Sequence, residues 1–452
     1  MHETDAAAKR PHVVVIGGGF GGLAAVRRLK DADVDITLID RHTYNTFQPL
    51  LYQVATAALN PGDVTWFLRA VRSNQENVRF VRGTVLSMDH EDRSIVLDGN
   101  IVVKYDYLVI ATGVTANFFG IPGAKEYSMP LYRRSQALRL RDKIFAEFED
   151  SAMNDQDRDL RIVVVGGGPT GVETAGALAE MRNTDMPVTY PELNTSRITI
   201  SLVEMGPAVL GPFDSLLRDY SAEALRKRGV DLRLETAVKE VTEDGVLVEH
   251  KGEQTFLETP IVIWASGVTA HPSLAQWGVP QGRGGRIEVD GHQRVRGLPN
   301  VFAVGDVSIN PDAALPQLAQ PALQGGQHVA DVIAAQVEGK PTPEPFSYTD
   351  KGTMATIGRA AAIAEIKGLP KIKPIRLKGF PAWLIWVVVH VQQLLSNRNR
   401  FATMTNLSMK YVLWRSHNAI VGETPYIASR RPKVIDSNPK PAGSAPSASS
   451  AS

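Results

Sequence analysis

Short runs of consecutive apolar residues recur along this chain, each bounded by glycine or a polar cluster and followed by a stretch of helical spacing. Val13 to Ile16 is the first, followed by GGGFGG at Gly17 to Gly22 and then LAAVRRLK. Ile162 to Val165 repeats the pattern, with GGGPTG at Gly166 to Gly171 and VETAGALAE behind it. Continuous apolar runs of this length fit strands covered on both faces, and the segment after each loop fits a helix. The two loops begin 149 residues apart, so the pattern predicts two separate strand-loop-helix units.

A second predicted strand closes each unit and ends in an acid. Asp40 ends DITLID, 18 residues past Gly22, and Glu204 ends ITISLVE, 33 residues past Gly171. A dinucleotide fold places an acid about 20 residues on, so the excess before Glu204 is assigned to an inserted loop at Asn183 to Arg197, which holds Pro187 and Pro191. Two further strands run into small residues. YDYLVIATG ends at Ala111, Thr112 and Gly113, and TPIVIWASG ends at Gly267, as if each stopped beneath a ligand that leaves no room for a side chain. NVFAVGDV ends in Gly305 and Asp306. Strands alternating with helices predict an α/β fold with mostly parallel sheets.

The last hundred residues read differently. Between Ile366 and Gly422 there is no Asp or Glu, against nine basic residues: Lys367, Lys371, Lys373, Arg376, Lys378, Arg398, Arg400, Lys410 and Arg415. The remainder of the chain then holds 40 basic and 48 acidic residues, so the overall +1 conceals a strong asymmetry. Phe380 to Leu395 is the most apolar part, and Phe401, Met404, Leu407, Tyr411 and Trp414 follow at helical spacing. With His390, Gln392 and Gln393 inside it, the apolar stretch is too short and too polar for a bilayer span of about 20 residues. Amphipathic helices lying in an anionic membrane surface explain the charge and the tryptophans Trp383, Trp386 and Trp414 together, and a buried dimer interface is the alternative. Past Arg430 the Pro, Ser and Ala composition predicts disorder.

At 452 residues, 43% hydrophobic and 21% charged, the chain has the composition of a globular protein of several domains and no global signature of nucleic-acid binding. It contains no cysteine. That removes thiolate metal sites, iron-sulfur clusters and any redox mechanism that stores electrons on sulfur. The ten histidines form no metal-ligand pattern, and the polar stretch Met1 to Pro11 lacks the apolar core of a secretory signal, so a cytoplasmic location is expected.

Gly17, Gly19 and Gly22 spell G-x-G-x-x-G between strand and helix. The first glycine permits the tight turn, the second lets backbone N–H groups approach a diphosphate, and the third lets helix and strand pack closely. Gly166, Gly168 and Gly171 meet the same conditions. Two such sites in one chain, with the small strand ends and a late Gly-Asp, point to one flavin and one nicotinamide nucleotide. Asp40 would hold the adenosine ribose of FAD. Glu204 would accept hydrogen bonds from a ribose diol and repel a 2′-phosphate, and no Arg follows it closely in sequence, so NADH is favoured over NADPH.

The order of these elements resembles the two-dinucleotide flavoprotein reductases. FQPLLYQVATAAL at Phe47 to Leu59, GGGPTGVETAGALAE, VFAVGDV and AQPALQGG at Ala319 to Gly326 are similar to the type II NADH:quinone oxidoreductases, and FPAWLIW to their actinobacterial branch. The resemblance spans about Pro11 to Gly422. It implies FAD held without a covalent bond, NADH as substrate, and a quinone, menaquinone in particular, as acceptor at the cytoplasmic face of the membrane. It further implies that Asp306 binds the ribityl or phosphate region of the flavin, that Gln320 and Gln324 lie beside its ring, and that Glu173 lies near the nicotinamide contact and is a candidate proton relay. Gln320 and Gln324 are four apart, on one helical face. As neutral donors they suit quinone carbonyls, but the spacing alone also fits a pair of surface glutamines. Glu173 reads equally as a first-turn acid favoured by the helix dipole. The run Phe47 to Tyr52 reads as core, or as the wall of a tunnel for an isoprenoid tail, which the resemblance favours.

The expected division is a FAD domain at 11–113 and 291–345, an NADH domain at 114–290, a C-terminal domain with membrane-docking helices at 346–422, and a tail beyond. A reductase for ferredoxin or rubredoxin and a non-catalytic NADH sensor are the rival functions. The missing cysteines argue against disulfide reductases, thiol peroxidases and sulfide:quinone oxidoreductases.

Overall fold

A computed structural model describes residues 10–367 and 373–413. Lys371, Trp414, Arg415 and the Pro/Ser/Ala tail lie outside the described residues. The chain divides into two compact units, one formed by residues 1–46, 65–117 and 268–351, the other by 47–64, 118–267 and 352–452. The first unit thus breaks off at Asn117 and resumes at Val268, and Phe47 to Val64 belongs to the second.

The first unit is built on a five-stranded parallel sheet. Its order is Val301–Ala303, Tyr107–Ile110, His12–Ile16, Asp35–Asp40 and Val78–Arg82. Val13, Val14 and Val15 are wholly buried, as a central strand covered on both faces requires. The helices Phe20–Arg28 and Ala319–Val337 pack against each other so closely that a Cβ on Gly326 would overlap the Gly21 carbonyl. An antiparallel sheet of Val85–Asp89, Ser94–Leu97 and Ile101–Lys104 extends the same core.

The second unit repeats the plan, with parallel strands in the order Met129–Pro130, Ile261–Trp264, Leu160–Val165, Ile198–Val203 and Val230–Arg233. The fold is thus α/β with two Rossmann-like halves. The stretch Asn183 to Arg197 is a loop only in part. Met181–Asp185 continues the preceding helix as a π-helical turn and Met186–Thr189 is helical. Pro187 lies just after this π-helical turn, the kind of irregularity that interrupts regular helical hydrogen bonding. The run Phe47 to Tyr52 enters two short helical segments, Gln48–Leu50 and Leu51–Ala55, with Pro49 in the first turn.

The C-terminal residues of this unit begin with an antiparallel sheet, Gly352–Gly358, Ala361–Ile366 and Ile375–Gly379, on which the helix Phe380–Gln392 packs. This placement corrects the reading of the tail. Trp386 is 1% exposed and belongs to the core, so it takes no part in a surface. What the helix does expose is the stripe Phe380, Leu384 and Val388, four residues apart, and the helix Asn397–Ser408 exposes Phe401 and Met404. Nor are all nine basic residues uncompensated. Lys367 and Arg376 pair with Glu365, Arg376 also with Asp214, and Lys410 lies 3.8 Å from the buried Asp185. Lys373, Arg398 and Arg400 are exposed and have no acidic partner among the described residues, while Lys378 lies over the Tyr220 ring and acts on the Glu223 carboxylate. No helix among those residues is long and apolar enough to cross a membrane.

Candidate active site

Both glycine loops have the shape their sequence implies. Gly17 has φ +105°, and a Cβ there would overlap the Ala111 carbonyl, while one on Gly22 would overlap the Gly17 carbonyl. The contrast lies at the middle glycines. A Cβ on Gly19 or on Gly168 would meet nothing within 4 Å. Each of these glycines caps the N-terminus of its helix without a side-chain cap, so backbone N–H groups face open space of the kind a diphosphate fills.

The terminal acids clamp the same loops. Asp40 accepts from the Gly18 N–H at 2.7 Å and the His42 N–H at 2.8 Å. Glu204 accepts from the Gly167 N–H and the Gly206 N–H, each at 2.6 Å. Each carboxylate is thereby fixed at the C-terminal edge of its sheet beside the loop, positioned to receive further donors from a ribose. The residues of both units thus fit dinucleotides.

In the first unit, the parallel pairing of Ile110 with Ala303 brings Ala111, Thr112 and Gly113 level with Gly305 and Asp306. The Thr112 hydroxyl is buried there without a hydrogen-bond partner. Burial pushes the Asp306 carboxyl up to about 6, against the pull of the Arg286 cation. Arg286 precedes Ile287–Glu288, a strand that pairs with Ser308–Ile309, and its Nε is also buried and unpaired. Orphaned buried polar atoms at the end of a sheet mark a place for a polar ligand. Arg286 was not legible as a site residue, because only this pairing brings it beside Asp306.

Gln320 and Gln324 share one face of the helix Ala319–Val337, as spaced. Their amides are not equivalent. The Gln324 Nε2 donates to the Thr349 carbonyl at 3.1 Å and its Oε1 accepts from the Thr349 N–H at 3.0 Å, so its amide is committed to both backbone groups of Thr349. A longer contact of 3.4 Å reaches Gln320 Oε1 and turns the Gln320 amide so that its own donors stay available.

In the second unit, Gly166 and Gly171 repeat the roles of Gly17 and Gly22. Gly267 does not fit the expectation of a strand ending beneath a ligand, because a Cβ there would overlap the Phe119 ring and the close neighbour is protein. Glu173 lies beyond the first turn of Pro169–Glu180 and is 7% exposed, so the helix dipole does not account for it. Burial pushes its carboxyl up to about 8, against a backbone hydrogen bond from the Thr356 N–H at 3.3 Å and the nearby Trp386 indole N–H. That indole N–H makes no close hydrogen bond of its own. At neutral pH Glu173 therefore carries a proton in a buried place.

Around it the helices Leu51–Ala55 and Phe380–Gln392 bring together Tyr52, Gln53, Trp386 and His390. The Tyr52 and Trp386 rings meet edge to face at 6.3 Å, and Trp386 stacks on His390 at 4.1 Å. The Gln53 Nε2 donates to the Tyr52 hydroxyl at 3.0 Å, while its Oε1 is buried and unpaired. His390 is held down to about 4 by burial, and is neutral. Among the described residues no cluster of three metal-ligating side chains occurs.

The pyridine nucleotide-disulphide oxidoreductase family matches residues 11–326, and the NDH2 C-terminal domain matches residues 351–416. The chain is 34% identical to the type II NADH:quinone oxidoreductase Ndh of Mycobacterium tuberculosis, covering 98% of this chain and 97% of that protein. It is 36% identical to NdhA of the same organism, covering 89% and 87%. Its fold matches the structure of NDH2 from Plasmodium falciparum in complex with NADH, with a TM-score of 0.81 at 22% identity, over 90% of this chain and 99% of that one.

Proposed function

The chain belongs to the type II NADH:quinone oxidoreductases, and from that premise we propose that it works with a non-covalently held FAD, prefers NADH to NADPH, and reduces menaquinone at the cytoplasmic face of an anionic membrane. Oxidation of NADH with reduction of a quinone is its reaction. The rival readings as a ferredoxin or rubredoxin reductase or a sensor are set aside with it. When bound, FAD supplies the redox step, taking a hydride from NADH and releasing two electrons to the quinone.

The observation that carries the proposal is the duplicated cradle: an open middle glycine at Gly19 and again at Gly168, each loop clasped by the acid that ends the next strand. Gly17, Gly19, Gly22 and Asp40 would hold the adenosine diphosphate part of FAD, with Ala111, Thr112, Gly113, Gly305 and Asp306 along its ribityl arm. Gly166, Gly168, Gly171 and Glu204 would hold NADH. Gln320 donates to a quinone carbonyl, and Gln324 orients Gln320 while holding the backbone of Thr349 to the helix. Reducing a quinone takes up two protons, and Glu173, protonated at neutral pH in an apolar setting, is the side chain suited to pass one on.

Membrane binding is supported by the exposed stripe Phe380, Leu384 and Val388, by Phe401 and Met404, and by the exposed cations Lys373, Arg398 and Arg400. The test is a stopped-flow sequence in which NADH bleaches the flavin and a menaquinone analogue then restores its colour. A flavin that NADH reduces but menaquinone leaves reduced overturns the proposed acceptor, and acid precipitation that leaves flavin on the polypeptide overturns the non-covalent attachment.

A further inference from the structure

Gln320, Gln324 and His328 follow one another at intervals of four and so form a stripe along one face of the helix Ala319–Val337. The segment 345–349 lies over that stripe as a strap. Phe346 sets its ring against His328, with centroids 5.5 Å apart, and Thr349 is bound to Gln324 through both of its backbone groups. The loop at 290–293 holds the strap as well. The Phe346 N–H donates to the Gly291 carbonyl at 2.7 Å, and a Cβ on Gly291 would press on Pro345. His292, on that loop, stacks on His328 with centroids 6.1 Å apart and ring planes 16° from parallel.

Two stacked imidazoles brace the strap only while they are neutral. His292 Nδ1 and His328 Nε2 are each buried without a hydrogen-bond partner. A proton on either nitrogen adds a buried N–H with no acceptor, and protons on both rings set like charges in one stack. The surrounding carboxylates are already engaged: Asp290 Oδ1 accepts from the N–H groups of His292 and Arg294, and Asp331 pairs with Arg28 at 2.7 Å. Burial, helped by the charges of His292 and Arg294, holds His328 below its ordinary 6.5, although Asp331 and Asp290 pull it up.

We propose that the His292–His328 stack is a pH-sensitive clasp, which when neutral closes the strap on the helix and keeps Gln324 bound to Thr349, and which opens in acid and lets the Gln320–Gln324 pair lose its orientation. Its consequence for the reaction rests on the reading of Gln320 as the quinone donor; the clasp itself does not. An open strap lets His328 take up its proton near the ordinary value, and a closed one only at a lower pH. Closure is therefore fully favoured above about pH 6.5 and weakens below it, by at most about tenfold for His328 one unit lower.

The test is hydrogen exchange in the holoenzyme at about pH 7.5 and about pH 5.5, read at the amides of Phe346 and Thr349 and divided by the intrinsic rate at each pH. In the wild type the corrected exchange should speed severalfold at the acid value. His328→Phe, which keeps an aromatic ring against His292 and Phe346, should remove most of that change, and His292→Phe should do the same. In stopped flow, flavin reoxidation by quinone should slow on the acid side in the wild type relative to His328→Phe, while reduction by NADH changes equally in both. Asp306, which titrates at about 6, is common to the two proteins and cancels in the comparison. Corrected exchange that ignores pH, or that responds as strongly in both Phe variants, overturns the clasp. A clasp that opens without slowing reoxidation overturns its effect on the reaction. If Gln320→Ala reoxidises at the wild-type rate, the quinone reading fails, and the exchange rates still decide the clasp.

Discussion

Replacing Glu173 with Gln keeps the shape of the side chain and its acceptor for the Thr356 N–H but removes the titrating group. The folded chain holds the Glu173 proton up to about pH 8, whereas the unfolded chain releases it near the ordinary value of 4.5. Between these values the folded state binds more protons, so wild-type stability falls as pH rises through that window and is flat beyond it. At about 1.4 kcal/mol per unit, the full cost of ionising the site is on the order of 5 kcal/mol, of which about 3 kcal/mol is already present at pH 7. Gln carries none of it. Urea unfolding of the two proteins between about pH 5 and pH 9, followed by tryptophan fluorescence, cancels every titration except that of residue 173. The stability difference should move in favour of Gln by several kcal/mol from the acid to the alkaline end, whatever constant offset the extra amide donor adds. A difference that stays level across the series would mean that Glu173 is solvated or paired, and would remove the argument for a stored proton.

The same group sets a kinetic expectation: flavin reoxidation by quinone should slow as pH rises through about 8, and Glu173→Gln should lose that limb while reduction by NADH is little changed; unchanged pH profiles would exclude the relay. Gln320→Ala should slow reoxidation without affecting stability, whereas Gln324→Ala should also lower the melting temperature, because it removes both hydrogen bonds to the Thr349 backbone. Asn399 donates to the Gly62 and Asp63 carbonyls at 3.0 and 2.8 Å, so Asn399→Ala should destabilise by about 2 kcal/mol in urea unfolding. Charge placed on the exposed stripe, as in Leu384→Asp with Phe401→Asp, should release the enzyme from anionic vesicles while preserving NADH oxidation with ferricyanide; retention on the vesicles would point instead to a protein-protein surface.

The tail shows how far a sequence pattern carries before packing intervenes. Helical spacing in Phe380 to Leu395 was legible, and a helix is there, but its apolar residues surround it on nearly all sides. Such a pattern does not say which face meets protein. The antiparallel sheet from Gly352 to Gly379 takes the face with Trp386 and leaves Phe380, Leu384 and Val388 outside. The absence of acids between Ile366 and Gly422 was legible too. Asp185, Asp214 and Glu365, however, come to Lys410, Arg376 and Lys367 from outside that segment.

The sequence by itself determined the two strand-loop-helix cradles, the acids Asp40 and Glu204 that close them, and the alternation that makes the fold α/β. These are local requirements: a positive φ at Gly17, a helix start within a few residues, and a strand of continuous apolar side chains depend on neighbours in the chain. Tertiary structure alone decided the properties that come from burial and from distant partners. Glu173 became a proton-bearing acid because helices from opposite ends of the chain exclude water from it. Gln324 was committed to the backbone of Thr349, and Arg286 was set beside Asp306, by pairings no spacing rule contains. Ionisation depends on lost solvation and hydrogen bonding on proximity, and both are sums over neighbours that only the folded chain assembles.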